Sequence, residues 1–542
     1  DERFLTMVVQ SINWPSTFRE YLSTDTSPLN PQNTGHAFYV YGTWPIILVK
    51  WIAGILHMDT YSGITIVGRV VAAVTDIVTL SLVMATAYVL ADRERKHKAS
   101  LIAGFAYATM ALPIQLSHFF AVDPFLTMSA ILLLFFLSLG WIGIPAGIAF
   151  GMAFSAKISA ILLIPIIVAT YGLALWKRPS SWFRLLVLGV SFSSATLITI
   201  RLLYPYLFIG NGLVPLAINP HVMQSFQSLE SLNDPNGYFP PGIQWITTHA
   251  YLYPLMQLTF FGIGLPHLIC FIISLTPLFY GRTRKVSYLI PMVGIIGVIG
   301  YQGAQYVKAL RYFALVYPYI AVIMGLGFAS WTLWGNIHGD TRVRNIRFGL
   351  LGTLASLLLW PTMVTSIYRT PHTRVTASMW IEANVPNGSI VTSESWDDGL
   401  PLPLPDTSMP LLQTLELGVT GPDTEEKLQT FEENVARADY IFITSNRGYG
   451  SMGTVPDRFP KMTAYYTRLF AGNSQFEKVA SFTSRPTLPL PFVRLCITPP
   501  WFSYGKLAQA PCDTTGISVV DDYADETWTV YDHPVVTIFK RK

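Results

Sequence analysis

The chain has 542 residues, of which 51% are hydrophobic and 13% charged, with a mean hydropathy of +0.41. Soluble domains carry about 25% charged residues. Half that, with long apolar runs, excludes an ordinary soluble enzyme and implies a polytopic membrane protein. The net charge of +4 is spread over loops and gives no basis for nucleic-acid binding.

Residues 1–35 are polar and aromatic, with turn residues at 27–28 and 30–31. Residues 36–57 mix apolar side chains with His36, Tyr39, Tyr41, Trp44, Lys50 and Trp51. Such an interfacial mixture predicts a helix lying on, or dipping into, the bilayer surface. Apolar spans are predicted at 64–90, 99–117, 124–140, 143–155, 158–175, 185–207, 252–279, 287–304, 309–334 and 347–367. The piece 143–155 is short enough to be re-entrant.

Positive loops set the sides. Arg93, Arg95, Lys96 and Lys98 form one cluster, Lys177, Arg178 and Arg184 a second. Arg282, Arg284 and Lys285 form a third, and Arg342, Arg344 and Arg347 a fourth. With 143–155 counted as a crossing, all four fall on one side, read as cytoplasmic. The opposite face receives residues 1–63, 118–123, the turn near Lys157, 208–250, 303–308 and the tail. Residue 1 then lies outside, so a further span is expected upstream. The fold class is a polytopic all-α membrane domain, residues 1–367, followed by an extracytoplasmic α/β domain, residues 368–542.

Within the tail, 388–396 and 439–446 read as strands, and 423–436 and 459–471 as helices. Residues 527–541 look like a final hairpin. Residues 393–399 (SESWDDG) read as an acidic surface loop. Cys496 and Cys512 can pair if the tail is extracytoplasmic, whereas Cys270 reads as an inert apolar residue. Neither a 20–50-residue repeat, a glycine-rich phosphate loop, a nucleophile elbow nor a zinc signature occurs.

The chemistry-bearing residues gather on the outer side. Lys308 and Arg311 are spaced i, i+3 at the mouth of an apolar span, and on a helix they share one face. Cations there are costly without a partner, and a phosphate would suit them; snorkelling to the interface is the plainer alternative. Arg69, Lys157 and Arg201 lie at outer span ends as well, and Asp76 is the expected charge partner of Arg69. Asp1 and Glu2 open the first outer loop, and Asp123 opens a later one. A carboxylate at that surface can act as a general base towards an incoming hydroxyl. Asp123 also reads as a helix N-cap ahead of Pro124.

The segment 234–245 (DPNGYFPPGIQW) ends in Gln244 and Trp245. It either lies over a saccharide or is a plain interfacial re-entry. His36, Tyr41 and His118 are counted with the substrate-binding residues. His36 and His118 are also the candidate ligands should a divalent metal bind, but neither has a second ligand at i+3 or i+4, and no cofactor is required.

The opening DERF, residues 27–45 (SPLNPQNTGHAFYVYGTWP), 118–128 (HFFAVDPFLTM), the PPGIQW loop and 308–318 (KALRYFALVYP) together resemble bacterial GT-C glycosyltransferases. These are phospholipid-carrier-dependent enzymes related to protein O-mannosyltransferases and aminoarabinose transferases. The resemblance covers most of the chain and lies in the order of the motifs. It implies that Asp1, with Glu2, is the catalytic acidic pair, that Asp123 is a second acidic position, and that Arg311 and Tyr312 lie near the donor phosphate with Lys308 beside them. The implied partners are a polyprenyl-phosphate-linked sugar donor, an acceptor (protein, lipid or glycan) and the lipid bilayer of the inner membrane. A lipid or solute transporter is the alternative. It would require charges near the midplane and an inverted repeat, which the sequence does not show.

Overall fold

A computed structural model describes residues 2–214, 217–279, 285–334, 349, 351–404, 409–499, 501–508, 512 and 514–542. Asp1, Arg282, Arg284, Arg342, Arg344 and Arg347 lie outside the described residues. The chain divides into two compact units. The first comprises Asp1–Glu230, Gly262–Ala304 and Arg311–Leu358; the second comprises Ser231–Phe261, Gln305–Leu310 and Leu359–Lys542. The division therefore falls at 358/359 rather than 367/368, and two inserted segments join the C-terminal part.

The first unit is helical. Among the described residues three helices are long and apolar enough to cross a membrane: Tyr61–Leu90, Ile158–Lys177 and Pro179–Leu203. The count rises to six if each of three bent pairs is taken as one span. The expected spans 124–140 and 143–155 appear as the shorter helices Asp123–Ser138 and Ile144–Ala156. The span expected at 99–117 is broken into Lys96–Ala108 and Ala111–Ser117, bent by 65°. Pro113 has no N–H for the carbonyl of Thr109, so the helix cannot continue straight through. The span expected at 252–279 is likewise interrupted. Gly264 takes φ +82°, open to glycine at no steric cost, and a new helix Leu265–Leu275 begins there. The segment expected as an outer loop at the N-terminus instead opens with the helix Glu2–Ser11, which buries Leu5, Val8 and Val9.

Small residues let these helices approach closely. A Cβ on Gly147 would fall 2.4 Å from Phe192 O, and one on Gly151 2.7 Å from Thr199 Cβ. Thr196 Oγ1 donates to Gly147 O at 3.1 Å across the same seam. Gly325 meets Ala99 and Ala103 in the same manner.

The second unit is an α/β fold. Its strands are β1 (Ile390–Glu394), β2 (Gln413–Leu417), β3 (Tyr440–Ile443), β4 (Phe476–Phe482), β5 (Thr487–Leu488), β6 (Arg494–Ile497), β7 (Gly516–Val519) and β8 (Val536–Arg541). The main sheet has the order β2-β1-β3-β8-β4, with a small sheet β5-β7-β6. β1, β2 and β3 run parallel, and β8 is antiparallel to β3 and β4. The central β3 is buried on both faces, as its YIFI sequence requires. Alternation assigns Tyr440 and Phe442 to one core layer with Val536 and Ile538. Ile441 and Ile443 go to the other, with Phe431, Met462 and Phe539.

Two expectations for the tail are corrected, and the cysteine pairing is met. The final hairpin is instead a short helix, Glu526–Thr529, and the single strand β8, which inserts between β3 and β4. Cys496 and Cys512 are disulfide-bonded. The acidic stretch 393–399 is a loop towards its end, with Trp396 exposed, but the Glu394 and Asp397 carboxylates are buried. Arg374 holds Asp397 at 2.5 Å and Asp398 at 2.8 Å, Ser445 donates to Asp397, and Tyr466 donates to Glu394 at 2.8 Å. Burial raises the Glu394 carboxyl to about 8.

His533 lies enclosed between Asp532 and Asp521, the latter at 2.8 Å, while Trp528 Nε1 donates to Asp521 at 2.9 Å. Burial opposes the charged imidazole, but the two carboxylates outweigh it and raise its pKa to about 10. Unfolded histidine titrates near about 6.5. The stabilisation is therefore complete below that pH and is lost as pH climbs through the folded value. Glu394, with its raised pKa, also loses ground as pH rises. We expect the unfolding midpoint of the protein to fall from pH 7 to pH 10. His533→Gln should lower the midpoint at pH 7 and flatten the slope above pH 8, as read by tryptophan fluorescence.

Candidate functional site

In the first unit, five segments remote in sequence converge. Glu2, in the first turn of Glu2–Ser11, accepts from Arg69 Nε at 2.8 Å and Nη2 at 2.6 Å. The same carboxylate accepts the backbone N–H of Phe120 at 2.9 Å. Arg69 can reach it because the helix Tyr61–Leu90 brings Gly68 against the Phe120 ring, where a Cβ would lie 2.5 Å from Cγ. Three residues after Phe120, Asp123 is 1% exposed, and its carboxylate is 2.7 Å from Lys157 Nζ. Lys157 sits in extended backbone between two helical segments. Its ammonium also lies 4.9 Å from the centroid of the Tyr312 ring, and the Arg311 guanidinium 5.8 Å from the same ring.

This geometry revises several expected roles. Asp76 does not pair with Arg69: Tyr107 Oη donates to Asp76 at 2.6 Å, while Arg69 grips Glu2. Asp123 is not an N-cap. Val122 holds that position without a side-chain cap, and the Asp123 carboxylate is spent on Lys157. Arg201 is taken up wholly by backbone. It donates to the carbonyls of Leu22, Pro205, Gly210 and Gly212, which makes it a loop anchor and no phosphate ligand.

Lys308 and Arg311 do not share a helical face. Residues 307–309 are not helical, the turn Leu310–Phe313 is 3-10, and the α-helix begins only at Val316. Pro318 sits in its first turn, where a missing N–H is harmless. Lys308 falls in the second unit, 4% exposed, and donates to Tyr306 O at 3.1 Å. Burial lowers its pKa.

Gln244 and Trp245 do not offer a face to a sugar. Both are buried in the second unit. Trp245 Nε1 donates to Asp525 Oδ2 at 3.0 Å, and Gln244 Oε1 accepts from Glu526 N at 3.1 Å. Arg458 binds the carbonyls of Pro235, Asn236 and Gly237. The whole loop is thus a structural part of the α/β unit.

His36 Nε2 is 3.0 Å from Ser11 Oγ, and its ring meets Phe4 edge-on. Tyr41 packs edge-on against Tyr39. His118 Nδ1 is 2.7 Å from Ile114 O. Among the described residues no group of three or more His, Cys, Asp or Glu side chains gathers as a metal site. The pairing of Lys157 with Asp123 was not foreseen from the sequence. Its only signal was a lysine closing an apolar, small-residue helix.

No protein-family profile and no curated protein sequence matches the chain. Among solved structures, it is similar to ArnT, the aminoarabinose transferase from Cupriavidus metallidurans, crystallised with undecaprenyl phosphate. Identity is 11%, covering 84% of this chain and 92% of that one, with a TM-score of 0.39. It is also similar to the archaeal oligosaccharyltransferase AglB from Archaeoglobus fulgidus in complex with an inhibitory peptide and a dolichol-phosphate. There identity is 13%, covering 85% of this chain and 68% of that one, with a TM-score of 0.49. The Archaeoglobus fulgidus enzyme tethered to an acceptor peptide aligns at 13% identity over 100% of this chain and 84% of that one, with a TM-score of 0.48. Both proteins are GT-C, lipid-phosphate-dependent glycosyltransferases, the class that the sequence motifs resemble.

Removing one partner of a buried ion pair costs about 3–5 kcal/mol, because the other charge is stranded, whereas replacing both by apolar or neutral groups costs far less. Lys157→Met should therefore lower the thermal midpoint of the detergent-solubilised protein sharply. The double change Asp123→Asn with Lys157→Met should restore much of it. Equal losses in the single and double variants would contradict the pairing.

Proposed function

We propose that the chain is a membrane glycosyltransferase of the inner membrane. It moves a sugar from a polyprenyl-phosphate donor to an acceptor hydroxyl on the extracytoplasmic face, by a single inverting displacement. The observation that carries this reading is the convergence of Glu2, Arg69, Asp123, Lys157, Arg311 and Tyr312 in one unit. These residues span more than 300 positions of sequence, and Glu2, Asp123, Arg311 and Tyr312 are among those that the family resemblance singles out. A scaffold has no need to bring them together.

In the mechanism, the acceptor hydroxyl attacks the anomeric carbon as the bond to the phosphate oxygen breaks. The hydroxyl proton goes to a carboxylate, and the electron pair leaves with the phosphate. Asp1 is assigned as the base. Glu2, the other member of the acidic pair, accepts from Arg69 and from the Phe120 N–H. Arg311 is the cation assigned to the departing phosphate, with Tyr312 keeping it and Lys157 in register. Fixed positive charge where the phosphate charge grows stabilises the transition state, and holding donor and acceptor together removes most of the entropic barrier. The positive loops support an outward-facing site, because all four clusters fall on one side of the spans read from the sequence when 143–155 is counted as a crossing.

Transfer from a polyprenyl-phosphate sugar by the full-length protein is the direct measurement. Arg311→Ala should cut turnover about 10²–10³-fold, and Asp1→Asn about 10²–10⁴-fold. Both variants should keep the thermal midpoint of the parent. Undiminished turnover in both would refute the role assignment, and transport of the donor without transfer would refute the reaction.

A further inference from the structure

A cavity of about 440 Å³ lies in the first unit between residues 24–38 and the helix Pro220–Ser231. That size is within the range of small-molecule sites, about 300–1,000 Å³. Asn30, Gln32, Asn219 and Gln224 supply amides, Asp25 a carboxylate and Phe38 an aromatic face that is 43% exposed. Among the described residues no lysine or arginine lines it.

Three of these amides, Asn30, Gln32 and Asn219, are fixed in place. Asn30 Nδ2 donates to Thr24 O at 2.8 Å, and Asn30 Oδ1 accepts from Gln32 N at 3.2 Å. Asn219 Nδ2 donates to Tyr206 O at 3.0 Å and to Gln32 Oε1 at 3.2 Å, and its Oδ1 accepts from His221 N at 3.0 Å. With its carbonyl engaged by Asn219, Gln32 has its Nε2 buried and without an acceptor. Buried amide donors are nearly always satisfied, so this one asks for an oxygen that the protein does not supply. Beneath the loop, Arg201 and the cluster of Ile200, Tyr204, Leu207, Phe208 and Val222 hold the frame rigid.

Without a lysine or arginine among its described lining residues, and with His221 as its one titratable base, the cavity is less suited to a phosphate or carboxylate ligand than to a neutral one. Paired amides and a carboxylate instead match vicinal hydroxyls, which donate and accept at once, and an exposed ring offers a flat apolar surface to a sugar face. We infer that this cavity binds a neutral saccharide unit. The inference stands on the cavity itself. Only the source of the sugar, either the lipid-linked donor or a glycan acceptor, rests on the transferase reading.

Saturation-transfer NMR on the whole detergent-solubilised chain tests it. The probes are methyl glycosides of glucose, galactose and mannose, with maltose as a longer probe and glycerol as control. At least one glycoside should give a signal well above glycerol. Gln32→Glu, which keeps the oxygen for Asn219 and removes the donor, should weaken it about fivefold or more, the worth of one hydrogen bond. Gln224→Ala and Phe38→Ala, at the exposed rim, should do the same with an unchanged thermal midpoint, and they carry the test if Gln32→Glu folds poorly. The absence of any glycoside signal above glycerol, or binding unaltered in the rim variants, would overturn the inference. Displacement of the glycoside by a polyprenyl-phosphate sugar marks the site as the donor's. A raised KM for a glycan acceptor alone, in the rim variants, marks it as the acceptor's. Glycoside binding in a protein that proves inactive as a transferase would sink the proposed function and leave the cavity assignment standing.

Discussion

An aspartate and a lysine, 34 residues apart in the chain, share one buried contact, and the arrangement of the first unit turns on it. Neither charge is tolerable alone in an apolar interior. Their meeting obliges the start of Asp123–Ser138 and the end of Ile144–Ala156 to lie side by side. The small-residue seam between Ile144–Ala156 and Trp182–Leu203 then carries the constraint outward. Lys157 touches the Tyr312 ring, so the turn before the helix Val316–Trp334 is drawn to the same place. Glu2 adds a second clasp through Arg69 and the backbone of Phe120. Charge pairing thus does what hydrophobicity cannot do among lipid-facing helices, where every apolar packing is nearly equivalent.

The neighbouring frame is organised by the same logic with a different partner. Arg201 spends its guanidinium on four carbonyls from two loops. Tyr21 and Thr24 reach the backbone of Leu202 and Phe208, and Ser27 is 2.8 Å from Tyr206. An arginine used in this way is a solution to orphaned backbone polarity, since loops without regular structure must satisfy their carbonyls somewhere. Its consequence is a stiff polar wall beside the helix Pro220–Ser231, and stiffness is what lets amide side chains discriminate between ligands.

In the second unit, polar residues cluster beyond the carboxyl ends of β1 and β3. Glu394, Asp397, Ser445 and Arg447 are tied to Tyr466, Arg374 and Glu526. This is where open parallel sheets commonly place their ligand crevices. Here side chains from the chain's own helices and from residues 396–398 fill the position. The inserted loop 231–261 is pinned to the same unit through Asp525, Glu526 and Arg458. Burying so many ion pairs is weakly stabilising at best. What it secures is one packing of helix, loop and sheet, because each alternative strands a charge.

Much of the architecture was legible in the chain itself. Apolar runs separated by positive loops announced a helical membrane unit, because lipid leaves the backbone no other way to satisfy itself. The apolar YIFI within 439–446 announced a strand, because β-branched and aromatic residues favour the extended backbone. The motif order also brought forward Glu2, Asp123, Arg311 and Tyr312. What composition could not carry was who meets whom. Lys157, rather than the N–H groups of its own helix, answers Asp123, Glu2 rather than Asp76 answers Arg69, and Gln244 and Trp245 turn inward to Asp525 and Glu526. Local periodicity states only which face of an element is apolar. A pairing between residues tens or hundreds of positions apart depends on helix breaks at prolines and glycines, and on close approaches at Gly68 and Gly147. Those are decided only when the elements pack against one another.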